Sequence, residues 1–210
     1  MIILGVTGSV GMGKTEAGKY FIKNNIDVFD CDKEIANLYN KKDTIIEIKK
    51  NFPSAIFNNK VDKNALANIV FNDKKKLKFL EGMLYKKLKV AQSFWLRKNI
   101  REQKKILVFD VPLLFEKDNI KKYDIVVVLS CNKALQKRRV LKRQGWNEER
   151  YEKTLKEQIP DYKKQTLADF VIKSDRGKRY LHQEIIRIIN IIKNKKNRKN
   201  RKIYEILNEF

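Results

Sequence analysis

The chain has 210 residues, 42% hydrophobic and 35% charged, with a formal net charge of +23. That length and apolar content suit one globular domain with insertions, long enough to bury a real core, and no apolar run approaches the ~18 residues of a membrane span. The only cysteines, Cys31 and Cys131, are too far apart for a disulfide framework or a zinc site, which points to a reducing, cytoplasmic setting.

The charge invites a nucleic-acid reading. Lys is accompanied by abundant Asn and Ile, however, and basic residues run along the whole chain, with one dense stretch at "KNKKNRKNRK". A small substrate rich in phosphate would welcome the same positive field. Nucleic acid is therefore disfavoured as the primary partner. The start, "MIILGVTG", lacks a charged n-region and reads as a strand rather than a signal peptide.

In chain order, "IILGV" is the first strand and Thr15 to Lys23 the first helix. Between them Gly8 to Thr15, in "GSVGMGKTE", matches the phosphate-binding pattern G-x-x-x-x-G-K-[ST] in its required strand-to-helix setting. Glycines let the backbone curl so that successive N–H groups face phosphate oxygens. Lys14 reaches the β- and γ-phosphates, the Thr15 hydroxyl ligates Mg²⁺, and the helix turns its positive end to the anion. The pattern announces a nucleoside triphosphate with Mg²⁺, without saying which reaction.

"IDVF" is the second strand, ending at Asp30. If the strand continues, Asp30 and Asp32 share one side of it, at the carboxyl edge where open sheets bind ligands. One of the pair can orient a hydroxyl nucleophile and accept its proton, or both can cap the helix "DKEIANLY". The stretch from about residue 33 to 103 is helical, with Leu77, Leu80, Leu84, Leu88 and Ala91 recurring every three or four residues, and looks like an inserted substrate lobe. "KILVF", "YDIVVVLS" and "DFVIKS" supply strands three to five, and "GKRYLHQEIIRIINIIK" the closing helix. The implied fold is α/β, a five-stranded parallel sheet with helices on both faces. Residues 193–210 read as a basic, mobile tail, in which "IYEILNEF" could form a short final helix.

Arg139 and Arg143, in "NKALQKRRVLKRQGWN", are four apart, which in a helix stacks both guanidiniums on one face. Such a face could close over a bound nucleotide as a lid, spanning about residues 138–160. A solvated basic face would look similar. Trp146 offers either a flat surface for a base or a contact packing the lid onto the body.

Taken together, "GVTGSVGMGKTEAGKYF", "VFDCD", "VFDVPLLFE", "QKRRVLKR", "EQIPDYKK" and "LADFVI", in this order and spacing, resemble the dephospho-coenzyme A kinase family of P-loop kinases from Ile3 to about Ile192. The resemblance implies a P-loop NTPase fold and ATP-dependent phosphorylation of the ribose 3′-hydroxyl of dephospho-CoA, with a core at residues 1–32 and 104–192. It implies Asp32, Lys14 and Arg139 as catalytic residues. ATP contacts would come from Gly8, Val10, Gly11, Met12, Gly13, Lys14, Thr15, Glu16, Arg139 and Arg143. Asp32, Asp110, Pro112, Leu113, Leu114 and Glu116 would serve the acceptor, with Glu116 fixing the turn, and Thr15 and Asp110 would serve Mg²⁺. Gln158 and Lys164 would shape the nucleotide pocket or anchor their helix.

The sequence departs from the family's pattern at three places. Tyr85-Lys86 replaces a frequent His-Pro, Ser174 stands where Asn is usual, and Glu16 replaces a Thr or Ser, so its carboxylate must point away from phosphate. Cys31 is read as a small filler and His182 as exposed. A monomer is expected. Another small nucleoside or nucleotide kinase, or a nucleotide-dependent nucleic-acid-binding protein, are the competing readings.

Overall fold

The computed structural model describes residues 1–117, 119–194 and 210. The anticipated tail and its final helix fall, from 195 to 209, outside them. The described residues divide into two compact units, Met1–Asp30 with those from 99 to 194, and Cys31–Lys98 with Phe210.

The first unit opens with β1 (Ile2–Thr7) and α1 (Lys14–Lys23), then β2 (Asp27–Asp30). The second contains α2 (Cys31–Leu38), α3 (Lys42–Asn51), β3 (Ile56–Phe57), β4 (Lys60–Val61), α4 (Lys63–Phe71) and most of α5 (Lys74–Arg101). The chain returns to the first unit with β5 (Ile106–Asp110), β6 (Ile125–Ser130), α6 (Lys133–Leu141), α7 (Glu148–Lys156), α8 (Asp161–Thr166), β7 (Phe170–Lys173) and α9 (Lys178–Asn194).

The five strands of the first unit form one parallel sheet in the order β2-β5-β1-β6-β7. Every residue of β5 and β6 is buried, as expected of strands covered on both faces. On one face Ala17 and Phe21 of α1 pack with Leu181, Ile185, Ile188, Ile189 and Ile192 of α9, the latter a stripe at helical spacing. A fully buried Phe or Ile contributes about 1.5–3 kcal/mol each by leaving water, so this stripe holds α9 far more firmly than propensity could.

Two aspartates repeat one device that sets strand register. Asp124, just before β6, donates its amide to the Ile3 carbonyl and accepts from the Ile3 amide at 2.8 Å. Asp169, just before β7, does the same to Val126, accepting at 2.7 Å. Each occupies both polar groups of a neighbouring strand residue, which is what the aspartate of "LADFVI" is for.

In the helical unit Leu80, Leu84 and Leu88 of α5 are buried as their spacing predicts, while Leu77 is half exposed. Asp73 caps α5 by accepting from the Lys75 and Lys76 amides, and Asp62 caps α4 through Asn64 and Ala65. The β3–β4 hairpin was not anticipated. Its turn, Asn58-Asn59, has φ of 46° and 58°, the left-handed pair that a two-residue hairpin requires and asparagine tolerates.

Candidate active site

The loop after β1 is held from behind through its carbonyls. The Gly8 carbonyl accepts from the Lys14 Nζ at 2.9 Å, and that of Val10 from the Gln136 side-chain amide at 2.9 Å. The Gly11 carbonyl accepts from Arg139 at 3.4 Å and the Met12 carbonyl from the Ser174 hydroxyl at 2.8 Å. Gly13 closes the series by accepting from the amides of Glu16 and Ala17 as α1 begins. In a trans peptide the N–H lies opposite the C=O. Engaging the carbonyls of Val10, Met12 and Gly13 on the outside therefore aims the amides of Gly11, Gly13 and Lys14 the other way, into the concavity an anion would fill.

Gly11 shows why the loop needs glycine. Its φ is +79°, and a Cβ there would stand 2.7 Å from Val140 and 3.0 Å from the Gln136 carbonyl, both in α6. Met12 is buried and its sulfur accepts from the Cys131 amide at 3.2 Å, pinning the loop to the end of β6. Burial pushes the Cys131 thiol above its usual range, so it stays protonated.

Arg139 of α6 lies on this loop. Its guanidinium donates to the Ser174 hydroxyl at 2.9 Å and the Ser174 carbonyl at 3.0 Å, besides the Gly11 carbonyl. Ser174 thus does what is useful there with a hydroxyl, linking Arg139 to Met12. Nearby Asp175 accepts from the Asn132 amide at 2.9 Å and its side chain at 3.2 Å, while Asn132 caps α6. Burial raises the Asp175 pKa, but these donors outweigh it and hold the carboxyl below the ordinary value. A pocket of about 300 Å³ opens between Gly13, Glu16, Arg139, Ser174, Asp175 and Leu181.

Four expectations change in detail. Arg143 does not share a helix face with Arg139, because α6 ends at Leu141 and Arg143 lies exposed in the following turn. Val10, expected among the ATP contacts, is already engaged at both ends: its carbonyl by Gln136 and its amide by the Gln158 carbonyl at 3.2 Å. Glu16 turns its carboxylate to Lys19 at 3.4 Å and Lys178 at 3.6 Å, which answers the repulsion, but its amide is used by Gly13. Trp146 has one ring face covered by the Arg150 guanidinium, 4.6 Å from the ring centre, which leaves at most the other face for a base or for packing.

The loop after β5 forms a corner. Asp110 ends the strand, buried, in register with Val6 of β1 and Asp30 of β2. Pro112 and Leu113 keep part of their surface exposed, but Leu114 is fully buried. A Cβ on Gly5 would stand 2.6 Å from Leu114, so Leu114 fills the gap that the glycine leaves in β1 and is a packing residue rather than an acceptor contact. Glu116 turns inward, accepting from the Ile159 amide at 2.9 Å and pairing with Lys164 at 2.7 Å; the Lys164 side chain is 0% exposed.

β2 ends at Asp30 and α2 starts at Cys31, so Asp30 and Asp32 do not share a strand face. Asp32 is exposed in the first turn of α2, two residues beyond the sheet. In the helical unit, Tyr85 is exposed under Lys89, and Lys86 lines a pocket of about 450 Å³ with Lys78, Phe79, Met83, Lys87 and Val90. His182 is not exposed as expected: it stacks on Tyr20 at 4.7 Å and pairs with the Asn24 side chain at 3.1 Å, joining α9 to α1.

The family model for dephospho-CoA kinase matches residues 2–179, from β1 through β7 to the start of α9. The chain belongs to the dephospho-CoA kinase family. It is 36% identical over 188 residues to the dephospho-CoA kinase of Bartonella quintana, covering 90% of this chain and 96% of that one. Among solved structures, the dephospho-CoA kinase from Campylobacter jejuni superposes with a TM-score of 0.65 at 25% identity, covering 90% and 96% of the two chains. The Thermus thermophilus protein TT1252 superposes with a TM-score of 0.79 at 25% identity, covering 91% and 97%. Like other members of the family, the chain has the α/β P-loop NTPase fold. No helix among the described residues is long and apolar enough to cross a membrane.

Proposed function

We propose that the chain transfers the γ-phosphoryl group of ATP to the ribose 3′-hydroxyl of dephospho-CoA, giving coenzyme A and ADP. What carries the reading is the phosphate loop with Arg139 seated on it, in a chain of this family. In this reading the amides of Gly11, Gly13, Lys14 and Thr15 hold the phosphates at the positive end of α1. Lys14 exchanges the Gly8 carbonyl for phosphate oxygens, and Arg139 balances charge spreading over the γ-phosphoryl group. The adenine is assigned to the pocket beside Gly13 and Ser174.

For Mg²⁺, the oxygen donors available are the exposed Thr15 hydroxyl and the buried Asp110 carboxylate at the strand end. Among the described residues no group of three or more acidic, His or Cys side chains forms an all-protein cage. One carboxylate and one hydroxyl suit an ion that arrives with the nucleotide and keeps waters and phosphate oxygens as its other ligands. Bound there, Mg²⁺ would offset the negative charge of the phosphates.

Asp32 is assigned to orient the 3′-hydroxyl and take its proton as the new P–O bond forms. Its support is position, two residues past the carboxyl edge of the sheet that carries the loop. The corner around Pro112, Leu113 and Glu116 serves the acceptor. A cytoplasmic setting suits the two buried free cysteines.

The purified chain, given ATP, Mg²⁺ and dephospho-CoA, should form coenzyme A detectable by mass spectrometry, with the new phosphate placed on the 3′-oxygen by ³¹P NMR. Turnover of another nucleoside or nucleotide without any coenzyme A would overturn the assignment. Asp32→Asn should lower kcat at least ~10²-fold with ATP affinity nearly intact.

A further inference from the structure

The segment joining α7 to α8 reaches both loops of the active-site edge. The Gln158 side-chain carbonyl accepts from the Val10 amide at 3.2 Å, and the next residue, Ile159, donates its own amide to Glu116 at 2.9 Å. Two adjacent residues thus grip the phosphate loop with a side chain and the acceptor corner with the backbone. Both grips are stiffened. Pro160 follows directly and restricts Ile159 to extended backbone, and Glu116 is fixed by the buried Lys164.

The phosphate-loop end is gripped twice. Gln136 takes the Val10 carbonyl while Gln158 takes its amide, so the two peptide planes flanking Val10 are both set by glutamines. Gln136 is in turn buried and accepts from the Tyr151 hydroxyl at 3.3 Å. The second of these planes carries the Gly11 amide, the first of the donors aimed into the concavity. Gln158 holds the first plane, Ser9–Val10, which meets the plane of the Gly11 amide at the Val10 Cα, so Gln158 fixes one side of the hinge about which that amide turns.

We infer that Gln158 is a positioning residue for the phosphoryl donor, holding the phosphate loop in its binding shape and, through Ile159 and Glu116, in fixed relation to the acceptor corner. It never touches phosphate in this scheme. Its hydrogen bond fixes the peptide plane next to the one that carries the Gly11 amide, so its loss is felt by the part of the ligand that amide binds. The inference rests on the reading of the loop as an ATP site, but not on the identity of the acceptor.

The test compares ATP with adenosine by titration calorimetry, in the wild-type chain and in Gln158→Met, which keeps volume but offers no acceptor oxygen. Loss of one neutral hydrogen bond should weaken ATP about fivefold, with adenosine unmoved because it lacks the phosphates. In steady state, KM for ATP should rise about fivefold while KM for dephospho-CoA shifts less than about twofold, since the Ile159–Glu116 bond remains. Gln158→Asn, polar but one methylene too short, should copy Gln158→Met. Equal loss for ATP and adenosine, equal shifts in both KM values, or no change in ATP binding would each overturn the inference. If the wild-type chain binds ATP yet makes no coenzyme A, the proposed reaction fails while the ATP-against-adenosine comparison still decides the role of Gln158.

Discussion

Two loops leave the same edge of the sheet, after β1 and after β5, and they are held in different ways. The phosphate loop is secured by many single bonds to its backbone, supplied by Lys14, Gln136, Arg139, Gln158 and Ser174. The corner after β5 has its own backbone bonds, the Pro112, Leu113 and Leu114 carbonyls accepting from Thr7, Lys117 and Asn119. It is tied to the segment after α7 and to α8 by a buried carboxylate, Glu116, which meets both a buried ammonium and a backbone amide. A loop that must present a row of donors needs each peptide plane fixed separately. A corner that must only stay turned can concentrate its strongest tie in one buried ion pair, and is weakened most where that pair is lost.

The sharpest way to break this contrast is Lys164→Met. It leaves the Glu116 carboxylate buried without its cation, a loss of about 3–5 kcal/mol for a broken buried pair. Urea unfolding should show it, and adding Glu116→Gln should recover part of the loss because no charge is then stranded. Gly11→Ala comes next. It places a methyl against α6 and forces a side chain into a left-handed φ, so about 1–3 kcal/mol of stability should go, with ATP affinity falling alongside.

Ser174→Ala removes one of the many bonds behind the phosphate loop, to the Met12 carbonyl, and the hydroxyl's bond from Arg139. It should cost only about 1–2 kcal/mol, seen as a small loss of ATP affinity with the fold intact. A loss as large as that of Lys164→Met would erase the distinction between distributed and concentrated support. The smallest effect concerns the thiols. Burial raises the Cys131 pKa, so at mildly alkaline pH the nucleophilic thiolate stays scarce. Ellman's reagent should titrate both cysteines in denaturant and neither quickly in the folded chain.

The sheet and the phosphate loop were legible because their signals are local. Short apolar runs gave all five strands, and the glycines, Lys14 and Thr15 gave the cradle. What was hidden depends on partners far along the chain. Nothing near Glu116 announces that it faces Lys164, 48 positions later. Leu114 looked available to a ligand until the space left by Gly5 explained it, although a glycine inside an apolar strand is a usable sign of close approach.

Other differences follow from element ends, where sequence periodicity is weakest. Spacing placed Arg139 and Arg143 on one helix, but α6 stops between them. The helix that begins at Cys31 likewise separates Asp30 from Asp32. His182 was judged by its polar neighbours in sequence, whereas its actual neighbours are Tyr20 and Asn24 of α1. The Asn58-Asn59 turn was a readable signal that the surrounding helical pattern masked.

The donors behind the phosphate loop come from α6, from the segment after α7 and from the residue after β7, as well as from α1. Grafting the stretch from Gly8 to Thr15 onto a foreign sheet would therefore transplant the spelling of a phosphate site without its geometry. An engineer who wanted the function elsewhere would have to move the scaffolding as well.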